Sequence, residues 1–372
     1  RRAAAWCCAA AGGRYRPLSI ATFAIEYQLY GQLPWMSHLI NILLYVALIA
    51  VIYSFLNHLI SDKQYDNNAL LLIATLIFAA HPVHTEVVAN IKGRDELLML
   101  LFAILSANFG FKYINTKQYA DLLKSLFLYL LALFSKENAI TFFILIPLAI
   151  WLFKLPQKKQ FIHLLIGLAA ISLAFLFIRW QILDTAKVIP QELMNNPFLD
   201  ATTKQKFGTV FYTLLIYLKL LIFPHPLTYD YYPYHIALVE VTSWQSLTGI
   251  SIYVVMLFTA LYYHRKKPVI AYSIFLHIIP LALVSNIFFP VGTFMSERFL
   301  FISSLGFAVI MALCIHKLRK QIQVIILIPL IALYSFKTVQ RNVVWKNDYT
   351  LFTTDVKVST NSAKANTTAG GA

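Results

Sequence analysis

Apolar positions in this sequence fall in long unbroken runs, not in alternation. The first run, His38 to Leu59, is 22 residues long, and a bilayer core of about 30 Å takes roughly 20 helical residues. Ten comparable or slightly shorter runs come after it, over 70–80, 96–113, 121–134, 139–154, 161–181, 207–224, 247–263, 268–289, 299–316 and 321–337. Backbone groups in hydrocarbon must pair within the segment, and the strict alternation of a membrane β-barrel is missing, so the runs predict helices. The expected fold class is an all-α polytopic membrane protein.

Charge sharpens the picture. Short loops rich in Lys and Arg stay on the cytoplasmic side, and five candidates stand out: Lys63; Lys112 with Lys117 and Lys124; Lys154 with Lys158 and Lys159; Arg265 to Lys267; and Lys317 with Arg319 and Lys320. If every run crossed, Arg265 to Lys267 would fall on the wrong side. The run 207–224 is flanked or interrupted by Lys204, Lys206 and Lys219 and ended by Pro224 and Pro226, which reads as a re-entrant or interfacial helix. That leaves about ten transmembrane helices.

Composition agrees. Of 372 residues 13% are charged and 59% hydrophobic, against about 25% charged in a soluble chain. The 31 Lys and Arg outnumber the 16 Asp and Glu, but they punctuate apolar runs and do not form a water-facing patch, so nucleic acid is not an expected partner. Cys7, Cys8 and Cys314 form neither a CxxC pair nor a disulfide framework. Residues 1–13 are mostly small and of low complexity, unlike the rest of the chain, and form a separate segment.

With this topology every unusual polar motif gathers on the non-cytoplasmic face: 14–18 with Tyr15 and Arg16; His81, His84 and Glu86; Arg94, Asp95 and Glu96; Lys136 and Glu137; Asp230 and Tyr231; and Glu297 with Arg298. Ionisable groups at membrane depth are costly and mark substrate or ion pathways by default. Each has a plainer alternative. Lys136–Glu137 can be a snorkelling turn anchor, Glu297–Arg298 a salt bridge holding a helix end, and Asp95 with Glu96 a complement to a helix N-terminus. His81 and His84 lack the HExxH pattern of a zinc site, so a polar pocket wall is preferred to a metal. The tyrosines around Asp230 suit an interfacial belt and sugar stacking equally. No phosphate-binding GxxxxGK[ST] loop and no GxSxG nucleophile elbow occurs.

Seven motifs in order, YRPL at 15–18, HLINILLY at 38–45, HPVHTEVVANIKGRDELL at 81–98, SKENAIT at 135–141, FPHPLTYDYY at 223–232, SNIFFPVGTFMSERFLFISSLGF at 285–307 and RNVVW at 341–345, resemble the TMTC-like multi-pass O-mannosyltransferases, which are GT-C glycosyltransferases carrying tetratricopeptide (TPR) repeats. The resemblance implies transfer of a hexose, expected to be mannose, from a polyprenyl-phosphate carrier to protein Ser or Thr on the non-cytoplasmic face. It implies no cofactor beyond that donor and no required metal. Its partners would be membrane lipid, the lipid-linked sugar, an acceptor protein and, in a complex, other membrane subunits. A hydroxyl nucleophile needs a carboxylate base within hydrogen-bond reach, and a departing lipid phosphate needs fixed cations, for which the Arg fork is well suited.

Family members begin with another membrane helix and a loop whose Asp is the expected base. Neither is found before Arg14, so Glu86, Asp95 and Glu137 stand as substitute catalytic candidates. Tyr15, Arg16, His81, His84, Arg94, Glu96, Lys136, Asp230, Tyr231, Glu297 and Arg298 are the substrate-binding candidates, expected to meet in one pocket. The expected domains are 14–340, GT-C-like, and 341–372, the start of a TPR-like region. Two other classes remain. A secondary transporter should place its charges near the midplane between repeats, and no repeat is evident. A non-catalytic scaffold or glycan-binding subunit would also lack the N-terminal Asp loop. Short loops favour a bacterial inner membrane over the endoplasmic reticulum.

Overall fold

The structure is a computed structural model that describes residues 15–60, 67–154, 157–183, 196–231 and 235–372. The segment 1–13, Arg14, Lys63 and residues 232–234 therefore lie outside the described residues. Within them the chain is helical and divides into two compact units, one of residues 1–75 and 87–188 and the other of 76–86 and 189–372.

The first unit contains α1 (Pro17–Tyr30), α2 (Pro34–Leu59), the beginning of α3 (Asn67–Ala80), the end of α4 (Thr85–Val88), α5 (Arg94–Thr116), α6 (Tyr119–Ser135), α7 (Phe142–Lys154) and α8 (Lys158–Leu183). Proline opens both α1 and α2, where its missing N–H is no loss and its fixed φ suits the first turn. Helix α5 is the central element: it packs most extensively on α6 and also on α2 and α7, and most of its side chains are buried. The antiparallel α5–α6 pair is held partly by polar contacts. Ser106 and Ser125 each donate to the other's carbonyl at 2.8 Å.

The second unit holds the remaining ends of α3 and α4, then α9 (Thr203–Ile222), α10 (Trp244–Tyr263), α11 (Pro268–Val284), α12 (Leu300–His316), α13 (Lys320–Val344), α14 (Asp348–Asp355) and α15 (Ala363–Gly371). A capping box opens α9: the Thr202 hydroxyl accepts the Gln205 N–H and the Gln205 side chain accepts the Thr202 N–H. Successive helices approach closely through glycine. A Cβ on Gly249 would lie 2.3 Å from the Phe211 carbonyl oxygen, and one on Gly306 would lie 2.2 Å from that of Ser273. Small residues at such crossings let backbones meet where no hydrophobic drive separates helix from lipid. Helix α13 shows the complementary pattern, with Ile325, Ile328, Leu333, Phe336, Val339 and Val343 all exposed.

Eight helical segments among the described residues are long and apolar enough to cross a membrane, and a ninth is a pair, Asn68–Ala80 and Pro82–Val88, bent by 48°. Pro268–Val284 is a shorter apolar helix of 17 residues. The chain is thus an all-α, multi-pass integral membrane protein, as expected. The run 207–224 forms α9, an unbroken helix of 20 residues whose length and composition also meet those of a span, and the bent pair breaks at His81–Pro82. Proline lacks the N–H a continuing helix would bond. His81 Nδ1 accepts the Val83 N–H at 3.3 Å, starting a short 3-10 turn in its place.

Replacing Gly306 by Val is expected to lower unfolding stability by about 1–3 kcal/mol, because the added atoms meet backbone and not a side chain that can swing away. A thermal melt of purified protein in detergent, followed by tryptophan fluorescence, checks this; an unchanged midpoint would refute the close α11–α12 approach.

Candidate functional site

In the first unit, three successive residues opening α5 reach three different stretches of chain. Neighbouring helical side chains diverge by about 100°, so consecutive positions face different partners. Arg94, wholly buried, pairs with Glu26 of α1 at 2.5 Å and donates to the Asn41 side chain at 3.2 Å and the Ser37 carbonyl at 3.4 Å. Its guanidinium also lies 4.1 Å from the centre of the Phe23 ring, a cation–π contact, while Ser37 Oγ donates to Glu26. Asp95 accepts from Arg16 Nη1. Glu96 pairs with Lys136.

Arg16 closes the group. It donates through Nε to Glu137 Oε2 at 2.8 Å and through Nη2 to Glu137 Oε1 at 2.6 Å, a bidentate fork. Burial alone would lower its pKa, but Glu137 and Asp95 outweigh that and raise it, so Arg16 is a fixed cation. Tyr15 beside it packs edge-on against Phe134 at 6.3 Å. Lys136 is 5% exposed, so it does not snorkel. It spans the gap from the end of α6 to α5 while its neighbour Glu137 faces Arg16. Among the described residues three cations, Arg16, Arg94 and Lys136, meet four carboxylates, Glu26, Asp95, Glu96 and Glu137, a formal excess of one negative charge.

The second unit repeats the device with Ser296, Glu297 and Arg298. Ser296 is extended, which sends alternate side chains to opposite sides. Its hydroxyl donates to the Glu86 carboxylate at 3.0 and 3.1 Å, and its N–H donates to the Tyr217 hydroxyl at 3.0 Å. The Arg298 N–H completes the Glu86 shell at 2.9 Å, while its partly exposed guanidinium stands 3.7 Å away. Glu297 does not pair with Arg298: its Oε1 accepts the Thr228 N–H at 2.5 Å and the Tyr231 hydroxyl at 3.1 Å. Burial and the nearby Glu297 charge push the Tyr231 phenol well up, so it stays a donor. Asp230 is buried, and the Ser362 hydroxyl donates to its carboxylate.

His81 and His84 form a polar wall whose ring nitrogens are engaged. Because His81 Nδ1 accepts from Val83, its Nε2 carries the proton and donates to the Leu221 carbonyl at 2.9 Å. His84 Nε2 meets the Ser304 hydroxyl at 2.8 Å. Among the described residues no group of three or more His, Cys, Asp or Glu side chains is arranged to hold a metal ion.

The predicted site residues thus assemble in two groups, one in each unit. Sequence reading missed Glu26, Ser37, Asn41, Ser296, Tyr217, Thr228 and Asp355. Glu26 carried a usable signal, being a lone carboxylate in the apolar stretch of α1. Asp355 carried none, since it lies in polar sequence. The candidate bases differ in freedom. Glu137 gives both oxygens to Arg16 and Glu86 gives both to Ser296 and Arg298. Asp95 binds Arg16 through Oδ2 only, and its Oδ1 accepts no hydrogen bond among the described residues.

Removing Arg16 should strand two carboxylates, whereas Asp95→Asn leaves Glu137 paired. Arg16→Ala is expected to cost about 2–3 kcal/mol of stability, between the scales for exposed and buried ion pairs because the pairs are part-buried, and Asp95→Asn about 1 kcal/mol. Equal losses in a denaturant titration in mixed micelles would contradict the shared-cation geometry.

No protein-family model matches the chain. Curated relatives do. The protein O-mannosyl-transferase TMTC3 of Homo sapiens is 29% identical over 385 residues, covering 94% of this chain and 41% of that protein. The protein O-mannosyl-transferase F38B6.6 of Caenorhabditis elegans is 28% identical, covering 94% and 49%, and TMTC4 of Mus musculus is 28% identical, covering 94% and 54%. The chain spans about half the length of the curated relatives it matches. These relatives come from animals, and nothing in them supports the preference for a bacterial inner membrane. By sequence the chain is similar, over 94% of its length, to proteins named as protein O-mannosyl-transferases.

Proposed function

We propose that the protein is a membrane glycosyltransferase that moves mannose from a polyprenyl-phosphate carrier to Ser or Thr hydroxyls of an acceptor protein on the non-cytoplasmic face, without a metal. The observation that carries the reading is the similarity to named protein O-mannosyl-transferases across 94% of the chain. The geometry fits it. The polar groups draw most of their charged residues from the motifs that carry the resemblance, and each provides carboxylate beyond its cations among the described residues.

In the transfer the acceptor oxygen bonds to the anomeric carbon as the carbon–oxygen bond to phosphate breaks. The acceptor proton passes to a carboxylate, and the lipid phosphate leaves with the electron pair. Among the three candidate bases, Asp95 suits proton acceptance best: Arg16 fixes one oxygen, and the other accepts no hydrogen bond among the described residues. Taken by itself, the second unit has in Arg298 a guanidinium that is 37% exposed and whose counter-ion Glu86 is already satisfied by Ser296 and backbone, which suits an anionic group. The C-terminal helices, in this reading, lead into TPR-like repeats that recruit the acceptor.

Full-length protein in lipid nanodiscs, given polyprenyl-phosphate mannose and a Ser/Thr-rich acceptor peptide, should release mannosyl peptide. Asp95→Asn should lower the rate by about 10²–10⁴-fold, the usual contribution of a general base, while the protein stays folded. A folded wild type that transfers no mannose from lipid carriers, or that uses a nucleotide sugar instead, would overturn the proposal.

A further inference from the structure

The RNVVW motif at 341–345 takes no part in this chemistry, yet its arginine sits in a buried polar network. Arg341 grips Asp355 with both terminal nitrogens, Nη2 reaching Oδ2 at 2.6 Å. Asp355 is fully buried, and Oδ2 also accepts the Tyr229 N–H at 2.7 Å. Ser359 donates to the Asp230 carbonyl at 2.8 Å, and the Thr228 hydroxyl meets the Ser359 hydroxyl at the same distance. The Ser362 hydroxyl serves twice, accepting the Ala365 N–H that opens α15 and donating to the Asp230 carboxylate. The Tyr229 hydroxyl meets Thr368 at 2.6 Å.

Every residue of 228–231 is therefore tied to the C-terminal helices or to Glu297. The Thr228 N–H and the Tyr231 hydroxyl converge on one oxygen of Glu297, whose chain neighbours Ser296 and Arg298 hold Glu86. Apolar contacts would dock two short helices without the desolvation that buried ions carry. What directed polar contacts add is a single register.

We propose that Arg341 and Asp355 are positioning residues of the transferase. Their ion pair fixes loop 228–231 and, through Thr228 and Tyr231, aims the Glu297 carboxylate, so docking of α14 and α15 sets the geometry of the Ser296–Arg298 turn. This role rests on the transferase reading for its consequence, but not for its structural half.

The test combines hydrogen–deuterium exchange with steady-state mannosyl transfer, on full-length protein in nanodiscs carrying Arg341→Lys or Asp355→Asn. Lysine keeps the charge but not the fork. Exchange at 228–231 should rise while the spans stay protected, and kcat should fall about 10- to 100-fold, the scale of an ångström-sized misplacement. The KM for the lipid donor should rise as well, because Arg298 lies on the turn that the joint positions, while the KM for the acceptor peptide should stay within about twofold. Should either variant fail to fold, Ser362→Ala and Tyr229→Phe each remove one tie and should give the same pattern, weaker. Unchanged exchange at 228–231, or faster exchange with unchanged kcat, would overturn the proposal. If the wild type transfers nothing, the transferase reading fails by itself, and the exchange at 228–231 still decides whether the ion pair holds the loop.

Discussion

A charged side chain inside an apolar helical assembly is stable only where an opposite charge and directed hydrogen bonds replace the water it has lost. That requirement organises this protein. Apolar side chains on α2, α8, α10 and α13 pack against neighbours or face outward with little need for a specific partner. Arg94, with no exposed surface, needs Glu26, Ser37 and Asn41 in place. It thereby fixes where α1 and α2 stand against α5. Lys136 and Glu96 do the same for the end of α6.

The two units meet the requirement by a common means. A short stretch of consecutive residues, Arg94 to Glu96 in one and Ser296 to Arg298 in the other, sends successive side chains to different partners distant in sequence. One turn of chain then crosslinks several segments. The groups are not equal in their freedom. Glu86 and Glu137 engage both oxygens, whereas Asp95 accepts through Oδ2 alone among the described residues.

The helical class and most of the spans were legible in the sequence, because uninterrupted apolar runs in the 300-odd residues between YRPL and RNVVW admit no other backbone solution. Charge at membrane depth also pointed to Arg16, Arg94, Glu96, Lys136 and Glu137. What pairs with what was not legible. Lys136 and Glu137 are adjacent in sequence yet serve different partners, and Glu297 bonds Thr228 and Tyr231, not Arg298. The bend after His81 follows from Pro82, because proline acts on the backbone directly. Tyr229 and Asp230, which suggested sugar stacking, are engaged by the C-terminal helices through Asp355, Ser359, Ser362 and Thr368, residues in polar sequence that carries no periodic signal.

The central claim is that buried ions from separate segments define the fold of the first unit. A double-mutant cycle on Lys136→Met and Glu96→Gln, with unfolding followed in mixed micelles, tests it most directly. The account predicts that each single change costs about 3–5 kcal/mol, and that the double change costs less than their sum by about 1–3 kcal/mol. Additive losses would mean that the two side chains do not meet, and would contradict it.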